Sequence, residues 1–155
     1  DNVIATAQWI ASQYLYFYWT PCHCDSLPSP LSILVFVQAV NQGNGEAIKL
    51  LQTALNDYGA NLTIDGQIGD LTTKAAKNAI DANGLCFDFL KKSSDYYKAI
   101  VASNPSKEPN LKGWLNRIAG LEFEFCKDQL VTSPSPPQSP IGSDGLIITS
   151  DILNI

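Results

Sequence analysis

The stretch GEAIKLLQTALNDYGANLTIDGQIGDLT, residues 45–72, decides the fold class. Its first half, Gly45 to Tyr58, sets Ala47, Leu50, Leu51, Ala54, Leu55 and Tyr58 on one stripe, with Glu46, Lys49, Gln52 and Asn56 on the other side. That is the period of an amphipathic α-helix. The second half breaks it. Asp65-Gly66 favours positive φ between the short β-prone pieces Leu62-Thr63-Ile64 and Gln67-Ile68, which predicts a small hairpin or tight turn. In this reading Asp65 and Gly66 make the turn, Gly69 permits a close approach, Ile68 plugs the core, and Asp70 or Thr72 opens the next helix.

Upstream, Val3, Ile4, Ala7, Ile10, Ala11 and Tyr14 recur at helical spacing between Asn2 and Trp19, and YLYFYW at 14–19 makes the last turn apolar all round. This predicts a helix that enters the core. Thr20-Pro21 breaks it, and a loop runs through Asp25 and Leu27-Pro28. Ser29 is the expected N-cap, with Pro30 at the first helical position, of a nearly all-apolar and hence central helix from Leu31 to Gln42, stopped by Gly43. Downstream, Asp70 is expected to cap a fourth helix running to about residue 81, closed by Asn83-Gly84. A fifth covers Leu85 to Ser103 and ends at Asn104-Pro105, and Leu111, Trp114, Leu115, Ile118, Leu121 and Phe125 make the stripe of a sixth. The fold class is all-α, a compact bundle of about six helices with one small β-turn element.

The body so defined covers residues 1–130. Residues 131–145, VTSPSPPQSPIGSDG, form a Ser/Pro-rich linker that cannot pack a core and favours extended conformations. Residues 146–155, LIITSDILNI, are apolar and β-branched. They read as a docking segment that fastens the chain to another protein through Leu146, Ile147, Ile148, Ile152 and Leu153.

Composition excludes some partners. The chain has 155 residues, 45% of them hydrophobic, enough for one domain with a core. Fifteen acidic against ten basic residues give a net charge of -5, and no cationic cluster is longer than Lys91-Lys92, so nucleic acid is not an expected partner. No apolar run is long enough to span a bilayer, Ile33 to Val37 included, and the N-terminal stretch lacks the basic region of a signal peptide. The lack of methionine points to a processed chain or to part of a longer one. Four cysteines, at 22, 24, 86 and 126, permit three pairings, and a domain this apolar does not depend on such staples.

Cys22-His23-Cys24 contains the only histidine and offers zinc-type ligands, but one intervening residue is short of the usual spacing and a fourth ligand would be distant. In an extended stretch adjacent side chains point apart, which also separates a cysteine nucleophile from His23. Semi-buried thiols beside a loop histidine are the expected arrangement, with no metal and no cofactor. Tyr14, Tyr16, Phe17, Tyr18 and Trp19 can stack on sugar rings or fill a core, and core is the commoner use of such a cluster.

The pattern Asp65-Gly66-x-Ile68-Gly69-x-x-Thr72, followed by an Ala-rich helix, resembles the signature of small peptidoglycan-binding helical domains. More widely, residues 18–55, 64–75 and 104–118 are similar to the C-terminal part of glycoside hydrolase family 108, muramidases whose distal region is labelled a predicted peptidoglycan domain. Tyr18-Trp19, Pro21, Asp25, Leu27-Pro28, Ala39 to Gly43, Leu51-Gln52, Asp65-Gly66, Gly113-Trp114 and Arg117 match that family in order, over about Ala5 to Leu121. The resemblance implies a lysozyme-like C-terminal fold, peptidoglycan as partner, and a modest sugar-binding groove near Trp19, Asp25, Asn41 and Gln42. Family enzymes carry their catalytic glutamate in a Glu-Gly-Gly-Tyr stretch that this chain lacks. Its own glutamates do not replace it: Glu46 opens a helix, Glu108 lies in a loop between lysine and proline, and Glu122 and Glu124 flank Phe123 on the last helix. No catalytic residue is assigned. The expected function is a non-catalytic muramidase-derived module that binds peptidoglycan or assembles into a phage particle or cell-envelope complex. The alternatives are a fragment of an active endolysin whose catalytic half lies elsewhere, and a purely structural virion protein.

Overall fold

A computed structural model describes residues 2–80 and 84–126. Six α-helices follow one another among them: α1 Asn2–Tyr14, α2 Leu31–Gln42, α3 Asn44–Asp57, α4 Asp70–Ala79, α5 Leu85–Ser103 and α6 Glu108–Phe125. A wide π-helical turn, Leu15–Trp19, continues α1, and short 3-10 turns lie at Cys24–Ser26 and Pro105–Lys107. No strand occurs among the described residues, and no helix among them is long and apolar enough to cross a membrane. The linker and the docking segment with Leu146, Ile147, Ile148, Ile152 and Leu153 lie outside the described residues.

The core is built from two helical hairpins. α2 packs on α3, α5 packs on α6, and α3 against α5 joins the pairs. Leu31, Leu34 and Val35 of α2, Leu51 and Leu55 of α3, and Leu85, Phe89 and Leu90 of α5 are fully buried. α6 completes the wall with Ile118 buried and Leu111, Trp114, Leu121 and Phe125 partly covered.

α1 departs from expectation. None of its residues is buried, and Val3, Ile4 and Trp9 are 81%, 65% and 64% exposed. Only Tyr18 and Trp19, at the end of the π-helical turn, reach the core. Periodicity reports an apolar face, not what covers it, and here the core is closed without α1. The start of α2 differs too. The Ser29 side chain makes no cap; Pro30 is the residue preceding the helix, and the Pro30 carbonyl accepts from the Ile33 and Leu34 N–H groups at 3.0 and 3.1 Å. Gly43, at φ 90°, ends α2 as expected, its N–H on the Ala39 carbonyl. Glu108 is the first residue of α6 rather than part of a loop, because the Asn104 side chain caps the preceding 3-10 turn through the Ser106 N–H and lets the chain re-enter a helix at once.

The segment between α3 and α4 forms no hairpin. Side chains of α3 satisfy its backbone instead. Asn56 donates to the Leu62 carbonyl at 2.8 Å and accepts from the Leu62 N–H at 2.6 Å. Gln52 accepts from the Gly66 N–H at 3.0 Å and donates to the Gln67 carbonyl at 3.0 Å. With partners supplied by one helix, Leu62–Ile64 and Gln67–Ile68 need no strand pairing. Gln52, expected on the solvent side, is 2% exposed. Gly66 is at φ 74°, as the turn requires. Gly69 is not a close-approach position: its backbone is extended at φ -147° and an added Cβ would meet nothing within 4 Å. Asp70 makes no side-chain cap. Gly69 precedes α4 and its carbonyl takes the Thr73 N–H, while Asp70 lies in the first turn, where a carboxylate complements the helix dipole.

Candidate functional site

The expected groove residues resolve into two held pairs. After the π-helical turn, the His23 backbone adopts the left-handed region at φ 48°, and the chain curls into the 3-10 turn rather than running extended. That curl turns Cys22 and Cys24 both inward, 0% and 1% exposed, with His23 between them at the surface. Burial pushes the Cys22 thiol up to about 11; burial, then the neighbouring Cys22 and Asp25, push Cys24 to about 12. Both are neutral thiols at pH 7, and thiolate is the form that attacks or ligates. Among the described residues no three His, Cys, Asp or Glu side chains are grouped to hold an ion. The same curl brings Asp25 beneath Trp19, whose indole N–H donates to Asp25 Oδ1 at 2.9 Å. The Trp19 ring meets Phe36 of α2 edge-on at 5.5 Å. Trp19 is thus half-buried and anchored, whereas Tyr16 and Phe17 beside it are 70% and 54% exposed.

The second pair lies at the C-terminal end of α2. Asn41 donates to the Val37 carbonyl at 2.7 Å, which fixes its amide, and its Oδ1 accepts from Arg117 Nη1 of α6 at 2.8 Å. Gln42 donates to the Ser93 carbonyl of α5 at 3.5 Å, and its Oε1 has no protein partner. Tyr97 of α5 is 3% exposed and stacks on Trp114 of α6, ring centres 4.9 Å apart. Its hydroxyl is approached by Gln42 and Arg117, neither at full hydrogen-bonding geometry, and burial, opposed by these two, raises its pKa. One turn earlier on α2, Gln38 is fully buried with both amide atoms unpartnered. The junction of α2, α5 and α6 therefore buries polar groups for which no full protein hydrogen bond is formed. Asn41 and Gln42 are among the residues expected at the groove, and Trp114 and Arg117 are positions of the family pattern. Gln38, Ser93 and Tyr97 carried no signal, being polar residues in ordinary helical runs.

The Asp65 turn adds a third polar group. Asp65 accepts from Gln52 Nε2 and from the Gln67 N–H, both at 2.9 Å, and these bonds hold its carboxyl below the usual range. Beside it lies a cleft of about 380 Å³ lined by Gln52, Thr63, Gln67 and Thr72 among others. A cleft of about 550 Å³ between α3 and α4, lined by Tyr58, Asn61, Lys74 and Asn78, shares Leu62 and Leu71 with it. Burial raises the Glu122 carboxyl, but Glu122 lines neither cleft.

Residues 46–119 match the sequence family described as "Predicted Peptidoglycan domain". The match contains the Asp65 turn, both clefts, Tyr97, Trp114 and Arg117, and leaves out Trp19, Asp25, Asn41 and Gln42. No curated protein matches the chain in sequence. Among solved structures the chain is similar to that of Brucella abortus SagA, with a TM-score of 0.63 at 20% identity over 83% of this chain and 66% of that one. The chain thus spans just under two thirds of the length of that structure. Similarity at this identity concerns the fold: the helical arrangement described above is shared.

Proposed function

We propose that the chain is a non-catalytic peptidoglycan-binding module that contacts the polymer at the junction of α2, α5 and α6. The match of residues 46–119 to a peptidoglycan domain carries this reading. The chemistry of the junction supports it. Arg117 and Asn41, both exposed, offer donors and acceptors, and Trp114, one turn before Arg117 on α6, is partly exposed; polar groups beside an aromatic side chain suit a sugar with an attached peptide.

The finer affiliation, the distal part of a family 108 muramidase, belongs to the same proposal. Its support is that residues carrying the resemblance bond to one another: Trp19 to Asp25, Asn41 to Arg117, and Gln52 to Asp65 and Gly66. Such a series is a folding pattern that does not need a catalytic centre. Hydrolysis of a glycosidic bond normally uses a carboxylic acid in a cleft to protonate the leaving oxygen, and Glu122, the glutamate raised by burial, stands away from both clefts. A phage particle or cell-envelope complex is the proposed setting, with residues 146–155 fastening the module to a second protein. Truncation after Leu130 should then leave the fold intact and change assembly in size-exclusion chromatography.

Co-sedimentation with insoluble peptidoglycan tests the main reading. Wild-type chain should pellet with the polymer, and Asn41→Ala and Arg117→Gln should pellet less under conditions where urea unfolding shows each variant still fully folded. No pelleting of the wild type would remove the binding function, and zymographic clearing abolished by Glu122→Gln would replace it with an enzyme.

A further inference from the structure

The four cysteines are all thiols in the structure, and the proposed function uses none of them. Two stand together. α5 and α6 form an antiparallel hairpin about the 3-10 turn at Pro105–Lys107, and the Tyr97–Trp114 stack fixes its register. Cys86 lies eleven positions before Tyr97, about three helical turns, so it falls on the same buried face as Phe89, Leu90 and Ser93. Cys126 lies twelve positions after Trp114, directly beyond the last residue of α6, with its N–H on the Glu122 carbonyl. The first turn of α5 and the end of α6 are therefore at the same level. Both cysteines are 1% exposed and belong to the same core cluster, and the pKa of the Cys86 thiol is lowered by its neighbour Cys126.

We infer that Cys86 and Cys126 are a disulfide-forming pair that clamps the open end of the α5–α6 hairpin when the chain folds in the presence of a small-molecule or protein disulfide as oxidant. The bond joins two residues that already lie in one core cluster at the same level of the hairpin. While the chain refolds both thiols reach solvent, and the step can begin at the Cys86 thiolate. Its attack on the oxidant's disulfide gives a mixed disulfide and releases one thiolate. Cys126 then gives up its proton and attacks the Cys86 sulfur, releasing the second. Two protein thiols lose two electrons and two protons, and one oxidant disulfide becomes two thiols. Cys22 and Cys24 are also buried, but they are separated by one residue on a tight turn and are not opposed across a helix pair.

The test refolds the full chain from urea in a reduced/oxidised glutathione buffer, quenches in acid, denatures and alkylates. Because the thiols are buried, oxidation is carried out during refolding rather than on the native protein. The expected result is a chain with two alkylatable thiols instead of four, two hydrogens lighter, whose digest contains a peptide joining residues 86 and 126. Its urea midpoint should be higher than that of the reduced chain. Cys22→Ser should behave the same way, whereas Cys126→Ser should keep its remaining thiols alkylatable. Four alkylated cysteines after refolding, or a linkage between Cys22 and Cys24 in place of 86–126, would overturn the inference. The peptide map of the wild-type chain decides even if a serine variant fails to fold.

Discussion

Replacing Gly66 by alanine separates two costs that the structure assigns to one position and withholds from its neighbour Gly69. At φ 74°, Gly66 occupies the left-handed region, where an L-residue pays about 1–2 kcal/mol. An added Cβ would also lie 2.8 Å from the Gly45 carbonyl oxygen. That oxygen is backbone at the start of α3 and cannot rotate away. The Lys49 carbons at 3.3 Å are a flexible side chain and can. Forcing the loop off α3 adds about 1–3 kcal/mol, typical of overpacking. Gly66→Ala should therefore cost roughly 2–5 kcal/mol. Gly66→Asn should cost less than Gly66→Val, because asparagine tolerates positive φ and a β-branched side chain does not, although both carry the Cβ. Gly69→Ala meets no atom and has an extended backbone, so it should be neutral or stabilise by about 0.4–1 kcal/mol through the unfolded state. Urea unfolding followed by circular dichroism reads all four, with Gln67→Ala, an exposed side chain, as the control expected within about 0.5 kcal/mol. Equal damage at 66 and 69, or tolerance of alanine at 66, would refute the account of the turn.

Gln52→Leu keeps the volume of a buried side chain but strips the Gly66 N–H and Gln67 carbonyl of their partner, which should cost about 1–3 kcal/mol per group left buried and unpaired; unchanged urea stability would show that water replaces the amide freely. Asp65, held below its ordinary pKa by Gln52 and the Gln67 N–H, contributes stability that is present above its unfolded value and lost as pH falls through the lower folded one. The urea midpoint should fall below about pH 4 and do so less in Asp65→Asn; parallel acid profiles would remove the effect. Cys22 and Cys24 have raised folded pKa values, so the sign reverses: their contribution is intact below about pH 9 and declines toward pH 11 and above as the unfolded chain loses thiol protons that the folded one keeps. A thiol reagent at pH 8 should leave both unlabelled until urea is added, and rapid native labelling at either would contradict their burial.

The helices of the body were legible because glycine, proline and asparagine punctuate apolar stripes. The range Leu31–Gln42 agrees to the residue, and Leu85–Ser103 ends where Asn104-Pro105 stops it. What periodicity cannot carry is the identity of the covering surface. α1 shows a clear stripe yet buries nothing, while Gln52 sits among solvent-side residues and is buried because the chain returns over it thirteen positions later. The candidate site was half legible for the same reason. Asn41 and Gln42 stand in a recognisable run, but the partner of Asn41 lies 76 positions away, and Tyr97 becomes part of the junction only through helix packing.

The two-hairpin architecture has a kinetic consequence. α2 with α3 and α5 with α6 are neighbours in the chain, so each hairpin closes over a short loop and most of the packing is local. Chains of this kind belong to the fast-folding end of contact-order scales. The Asn41–Arg117 bond is of the opposite sort, since it ties the two hairpins across most of the body and the loop entropy it requires is largely met once α3 has met α5. The junction of α2, α5 and α6 should therefore form after the folding transition state. Changes there would appear in the unfolding limb of a chevron, leaving the refolding limb almost where it was.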